Sequence, residues 1–142
     1  MKSSALLCGL AIATALAACA SPTDPSAPTE TALACTVPSN CVSTLDGGAA
    51  PLRFDGDAPR ALARLKRTLE GFPGAHIVRS DANAVDAVFT TAVGFQDDVT
   101  FRIDPLKQRI DFRSRSRIGL FDFGKNRSRM QEFAVRFTSA GD

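Results

Sequence analysis

The chain contains no tryptophan, no tyrosine and only one histidine, His76, while all ten aromatic residues are Phe. Trp and Tyr are the aromatic residues that usually anchor sugar and protein ligands, so an aromatic carbohydrate platform is disfavoured. His76 lies beside the apolar pair Ile77–Val78, which is typical of a strand end and not of a catalytic base. The sequence therefore offers few of the side chains that carbohydrate binding or acid–base catalysis usually requires.

Catalytic and metal-binding motifs are also missing. The sequence has no Gly-x-Ser-x-Gly nucleophile motif, no phosphate-binding loop and no metal-ligand spacing. Asp97 and Asp98 are adjacent on a predicted strand, so their side chains diverge and do not form a carboxylate dyad. The sequence therefore favours a non-catalytic protein without cofactor or metal.

The overall charge is close to neutral. There are 17 Lys and Arg against 15 Asp and Glu, a net charge of +2, and loss of Lys2 with a leader would leave 16 against 15, or +1. A near-neutral chain is not typical of a general polyanion binder. Any electrostatic function must come from local clustering of charge.

Residues 1–18 have the pattern of an export signal. Lys2 supplies a positive end, and the apolar run Ala5–Ala18 is too short for a convincing membrane-spanning helix. The run ends in Leu16-Ala17-Ala18-Cys19, which resembles the lipobox of bacterial lipoproteins. That resemblance implies cleavage before Cys19 and membrane attachment through a lipid on its thiol. The alternative is an ordinary secretory signal with an incidental cysteine.

The residue after the predicted lipidated cysteine bears on location. Ala20 stands where, by resemblance to enterobacterial sorting rules, an Asp would signal retention in the inner membrane. The outer membrane, on its periplasmic face, is therefore favoured over the inner membrane. Residues 19–34 are rich in Ser, Thr and Pro and predict a flexible tether, while residues 35–140 are predicted to form a single globular domain.

Two cysteines remain in the predicted domain, Cys35 and Cys41, with five residues between them. In an oxidising envelope compartment an isolated even pair most often forms a disulfide. A metal site would need more ligands than two thiolates, and a redox pair usually has two intervening residues. The spacing therefore favours a structural disulfide.

Hydrophobic periodicity predicts an α+β fold. Helical spacing follows the N-cap candidate Asp57 and recurs from about Arg127 to Thr138, and between these helices come about four strands with short turns. Consecutive strands with short connections imply an antiparallel meander. The prediction is a two-layer sandwich with both helices packed on one face of the sheet.

The stretch Arg113–Arg129 holds six basic residues and one acid, Asp122. Its arginines at period-two spacing would share one strand face, and the amides after Asn126 would present the positive end of a helix. This pattern predicts an anion-binding surface for an envelope ligand, formed by Arg113, Arg115, Arg117, Asn126 and Arg127. Nucleic acid is not expected as a partner because of the predicted location.

Internal pairing is the alternative interpretation of the same stretch. Asp97, Asp98, Asp111 and Asp122 are natural partners for the arginines, and alternating Arg and Asp on a wet sheet face is common. In this interpretation Asp122 and Asn126 serve as turn and cap residues. The sequence leaves both interpretations open.

Four segments resemble a bacterial family known as domain of unknown function 1499. They are the Cys-…-Pro-Ser-Asn-Cys-Val-Ser segment at Cys35–Ser43, Phe72-Pro-Gly-Ala, Phe95-x-Asp-Asp-Val-x-Phe, and Arg113-Ser-x-Ser-Arg-x-Gly-x-x-Asp-x-Gly-x-Asn-Arg127. They span most of the predicted domain. The resemblance supports the fold and location and implies no activity.

Two functions are therefore expected from the sequence. The first is a lipid-anchored, non-catalytic binding or accessory module for an anionic envelope ligand or an acidic protein partner. The second is a structural lipoprotein that acts through protein–protein contacts in an envelope assembly.

Overall fold

The computed structural model describes residues 29–141, so the predicted leader, Cys19 and most of the predicted tether lie outside the described residues. Three helices, six strands and one 3-10 turn follow in chain order: α1 Thr29–Leu33, the 3-10 turn Pro38–Asn40, β1 Cys41–Ser43, β2 Leu52–Arg53, α2 Ala58–Glu70, β3 Ala75–Ser80, β4 Ala84–Thr90, β5 Gln96–Asp104, β6 Arg109–Ser116 and α3 Lys125–Ser139. Among these residues no helix is long and apolar enough to cross a bilayer.

The strands form one antiparallel sheet in the order β1-β6-β5-β4-β3, and β2 also pairs with β6. The predicted four-stranded meander is confirmed as β3 to β6. Strand β1 is not predicted from the sequence, because its three residues show no usable alternation.

The face of the sheet that carries the apolar residues of each strand, here called the inner face, is covered by α2 and α3. Phe133 of α3 lies 5.4 Å from Phe101 of β5 and 5.5 Å from Phe72 between ring centroids. Tilted and edge-on ring pairs at such distances add to the stability that burial of the rings provides. The predicted α+β sandwich with two helices on one face is confirmed.

The N-terminus of α2 is fixed as the sequence predicts. The side chain of Asp57 accepts a hydrogen bond of 2.9 Å from the backbone N–H of Arg60, and Pro59 lies in the first turn. This cap satisfies one of the free N–H groups of the helix and leaves the apolar stripe of Ala61, Leu65 and Leu69 buried on the sheet.

The opposite face of the sheet, here called the outer face, is covered in part by α1. This helix packs on β5 and β6, and Leu33 is fully buried although it lies outside the main core cluster. Thr29–Leu33 belong to the segment predicted as a tether, so the packed part of the chain begins before Cys35. A five-residue helix with one buried leucine is too short to give a periodic signal.

The predicted disulfide between Cys35 and Cys41 is confirmed, with Cα atoms 5.7 Å apart. It closes a short loop that contains the 3-10 turn and leads directly into β1. The disulfide therefore joins the segment after α1 to the edge of the sheet next to β6.

Candidate functional site

The junction between β6 and α3, residues 117–124, lies next to the disulfide loop. The side-chain N–H of Asn40 donates to the carbonyl of Gly119, and the hydroxyl of Ser39 donates to the carbonyl of Leu120. The backbone N–H of Asp122 donates in turn to the carbonyl of Ser39, at 3.2 Å. These bonds hold the junction against the disulfide loop.

Asn126, in the first turn of α3, fixes the other side of the junction. It is fully buried and lies on the inner face. Its side-chain N–H groups donate to the carbonyl of Asn40 at 3.1 Å and to the hydroxyl of Ser116 at 2.9 Å, and its side-chain oxygen accepts from Ser114. The amide therefore connects the disulfide loop, β6 and α3 and is not available to a ligand.

Asp122 lies at the N-terminus of α3. Its carboxylate accepts hydrogen bonds from the backbone N–H groups of Gly124 at 2.9 Å and Asn126 at 2.8 Å, and from the side chain of Asn126. Burial alone would raise the pKa of Asp122, but the bonds from Asn126 and Gly124 outweigh it and lower the pKa below its ordinary value. The anion position at this helix end is thus filled by a carboxylate of the chain itself.

The five residues predicted to bind an anion do not form one site. Arg113, Arg115 and Arg117 share the outer face, as their spacing predicts, whereas Asn126 is buried on the inner face. Arg127 lies on α3, where its guanidinium donates to the carbonyl of Gly48. The stretch is therefore divided between two faces of the sheet.

The adjacent Asp97 and Asp98 are also divided between the two faces. Asp98 on the outer face accepts from Nε and Nη2 of Arg117, at 2.9 and 2.8 Å. Asp97 on the inner face pairs with Arg129 of α3, whose guanidinium lies 5.6 Å from the ring centroid of Phe89. Both arginines thus have carboxylate partners within the chain. Arg129 was not among the residues proposed from the sequence.

A cleft of about 610 Å³ opens where the β4–β5 loop meets the junction. Its walls carry large apolar side chains that are exposed to solvent: Val93, Phe95, Ile118, Phe121 and Phe123. Exposed Leu120 lies beside them in the chain. Apolar clusters of this kind on a protein surface mark interaction sites.

Phe123 is the most unusual residue of the cleft. It is 94% exposed and has a φ of 54°. A non-glycine residue in this left-handed conformation is strained, and such strain is found mainly where function maintains it. The fold itself gains no burial from the ring of Phe123.

Charge around the cleft is limited to a few groups. Asp97 with its partner Arg129 lines it, together with the Asp122 carboxylate and Lys125. The ammonium group of Lys125 forms no ion pair with any residue of the described range 29–141. The cleft therefore combines apolar walls with one available positive charge at its rim.

The cleft is not predicted from the sequence, because the arginines give the stronger signal in the same stretch. The signal was present in Ile118-Gly-Leu-Phe-Asp-Phe-Gly124, where four large apolar residues lie in a glycine-bounded loop without helical or strand periodicity. Within residues 29–141, no group of three or more His, Cys, Asp or Glu side chains could hold a metal ion.

A protein-family model described as Protein of unknown function (DUF1499) matches residues 31–137, which is most of the chain and includes the whole junction and cleft. No curated protein and no solved structure matches the chain.

We expect Asn126→Ala to reduce the free energy of unfolding by about 3 kcal/mol, because it leaves groups of the buried Asn40 and Ser114 and of the half-buried Ser116 without partners. Urea denaturation measures this change. The control is Asn83→Ala, since the exposed side chain of Asn83 makes no hydrogen bond with a described residue. It should change stability by less than about 0.5 kcal/mol. Equal effects of the two substitutions would contradict the bracing role of Asn126.

Asp122 should make stability depend on acidic pH. Its folded pKa is depressed, so its contribution is complete above the unfolded pKa of about 3.9 and is lost as the pH falls through the folded pKa. The unfolding free energy of the wild type should therefore fall more steeply with acidification than that of Asp122→Asn. Urea titrations over a series of acidic pH values measure both slopes. Equal slopes in the two proteins would contradict this role of Asp122.

Proposed function

This chain belongs to the DUF1499 family, and we propose that it is a lipid-anchored, non-catalytic envelope protein whose apolar cleft binds an acyl chain of an envelope lipid. The observation that carries the proposal is the set of exposed apolar side chains around a cleft with a braced backbone. A volume of about 610 Å³ lies within the range of ligand-binding pockets.

The proposed location rests on the N-terminal sequence. Cleavage before Cys19 and lipidation of its thiol would attach the chain to a membrane, and Ala20 favours the periplasmic face of the outer membrane. Ten residue steps separate Cys19 from Thr29, a reach of at most about 35 Å. Such a tether keeps the domain close to the bilayer, where lipid is the most abundant ligand.

The chemistry of the cleft favours lipid over protein as its occupant. Its exposed side chains are Phe, Ile and Val, whereas the anchoring residues of protein interfaces are mainly Trp, Tyr and Arg. Lys125 at the rim supplies one positive charge without an ion-pair partner in the described part of the chain. An acyl chain on the apolar walls with an anionic headgroup near Lys125 would satisfy both features.

A structural lipoprotein remains the second candidate. The observation that favours it is the pairing of Arg117 with Asp98 and of Arg129 with Asp97, which removes these arginines from a ligand surface. In that case the exposed apolar cluster would contact a protein of the envelope. A photo-crosslinking residue in place of Phe121 separates the two functions in intact cells, because it labels lipid in the first and protein in the second.

Lipidation and the disulfide predict the mass of the mature protein. The full chain, expressed in a Gram-negative host, should begin at Cys19, carry a diacylglyceryl group and lack the two hydrogen atoms lost in the disulfide. Intact-mass spectrometry measures all three properties. Cys19→Ala should abolish the lipid mass. A wild-type protein without lipid mass would overturn the anchoring proposal and leave the cleft proposal standing.

Removal of two Phe rings should release lipid from the cleft. Each buried Phe contributes roughly 1.5–3 kcal/mol, so Phe121→Ser combined with Phe123→Ser should lower bound phospholipid by at least roughly tenfold. The full anchored chain is purified in a mild detergent, and native mass spectrometry counts the phospholipid retained besides the covalent lipid.

The control for this experiment is Leu106→Ser. Leu106 is 95% exposed and lies in the β5–β6 turn, outside the cleft. This variant should retain phospholipid like the wild type. If the wild type carries no phospholipid, or if the Phe variant retains as much as the Leu106 control, the lipid proposal is wrong.

A further inference from the structure

The outer face of the sheet carries three buried carboxylates, one on each of β4, β5 and β6. Each of them pairs with an arginine other than Arg113. Asp86 accepts from Arg79 and Arg102, Asp98 accepts from Arg117, and Asp111 pairs with Arg109 and accepts from Thr44. All three carboxylates on this face are therefore paired with other side chains, and none forms a hydrogen bond with Arg113 or Arg115.

Arg113 lies in the middle of this face and is only 5% exposed. Its Nη1 donates to the carbonyl of Ala34 at 3.3 Å, which is a long bond to a neutral acceptor. Its Nε and Nη2 are buried and have no hydrogen-bond partner among the described residues. Burial lowers the pKa of Arg113, the charges of Arg115 and Arg102 act in the same direction, and the carboxylates of Asp98 and Asp86 offset this only in part. A buried cation with two unused donor nitrogens is strongly disfavoured.

Arg115 stands next to Arg113 on the same face. Its Nε is also buried without a hydrogen-bond partner, and its Nη2 is 4.0 Å from Asp98, which Arg117 already holds at 2.8 Å. The side chain of Arg115 is 27% exposed, so this end of the pair is open to solvent. Together the two guanidinium groups have three buried nitrogens whose N–H groups no residue of the range 29–141 accepts.

We propose that a small oxyanion with the chemistry of phosphate or sulfate binds between Arg113 and Arg115 on the outer face. The anion enters from the side of Arg115 and supplies the acceptors that the buried nitrogens lack. Planar guanidinium groups match the oxygen geometry of such anions. Arg113 is only 5% exposed and its Nη1 contacts the carbonyl of Ala34, so the site would admit a small free ion and not a polymer or a bilayer headgroup. This site is separate from the apolar cleft and does not depend on the proposed lipid.

The test uses the full anchored chain in detergent, with inorganic phosphate, sulfate or chloride at equal ionic strength. Phosphate at about a hundred times its dissociation constant should raise the melting temperature by roughly 5–10 °C relative to chloride. Isothermal titration calorimetry measures the affinity directly. Arg115→Met should weaken phosphate binding by roughly tenfold or more. Sulfate should compete with phosphate.

Arg67→Met is the matched control, because Arg67 is an exposed arginine on α2 with the same charge. It should bind phosphate like the wild type. Arg113→Met should lose phosphate binding, and its melting temperature in chloride should equal or exceed that of the wild type, since an unsatisfied buried cation is removed. If Arg113→Met does not fold, Arg115→Met decides the question. Equal melting temperatures in phosphate and chloride, or equal loss in Arg67→Met and Arg115→Met, would overturn the proposal.

Discussion

The side chain of Asn126 is the connection on which the functional end of the molecule depends. One buried amide binds the carbonyl of the disulfide loop, two serine hydroxyls of β6 and the carboxylate of Asp122. Its donors and acceptor are fully used, as a buried amide requires. Because these partners belong to three separate segments, the position of the junction loop is fixed relative to the sheet. The apolar side chains of the junction loop can then remain exposed to solvent, because the fixed loop does not collapse onto the core.

The alternation of strand residues explains why a basic stretch in sequence does not become a basic patch in space. On β6 the even-numbered side chains Ser114 and Ser116 face α3, whereas the odd-numbered arginines face α1. The strand ends at Ser116, and the chain then turns so that Arg127 and Arg129 lie on the helix side of the sheet. Each face therefore receives its own arginines and its own aspartates.

Much of the fold could be predicted from periodicity. The alternation of Val99, Phe101 and Ile103 indicates a half-buried strand, and the cap at Asp57 indicates where α2 begins. The small elements could not be predicted, because three residues in β1 and five in α1 are too few to show a period. The pairing of Cys35 with Cys41 was predictable since only two cysteines remained for the domain.

The site was harder to predict than the fold. Spacing correctly places Arg113, Arg115 and Arg117 on one face, but it does not reveal which carboxylates are already engaged. That depends on register across strands, for example on Asp98 lying opposite Arg115. The apolar cleft depends on two loops that are distant in sequence, at Val93–Phe95 and Ile118–Phe123, and only the folded sheet brings them together.

The disulfide has a mechanical consequence for a chain held at its N-terminus. Tension on the tether would reach the domain through Cys35, and the covalent bond passes it directly to Cys41 at the start of β1. The intervening loop, which contains Ser39 and Asn40, then carries none of the load. Its bonds to Gly119 and Leu120 would therefore survive a pull that peels α1 from the sheet. Under the proposed attachment through Cys19, the cleft would therefore be insulated from movement of the anchor.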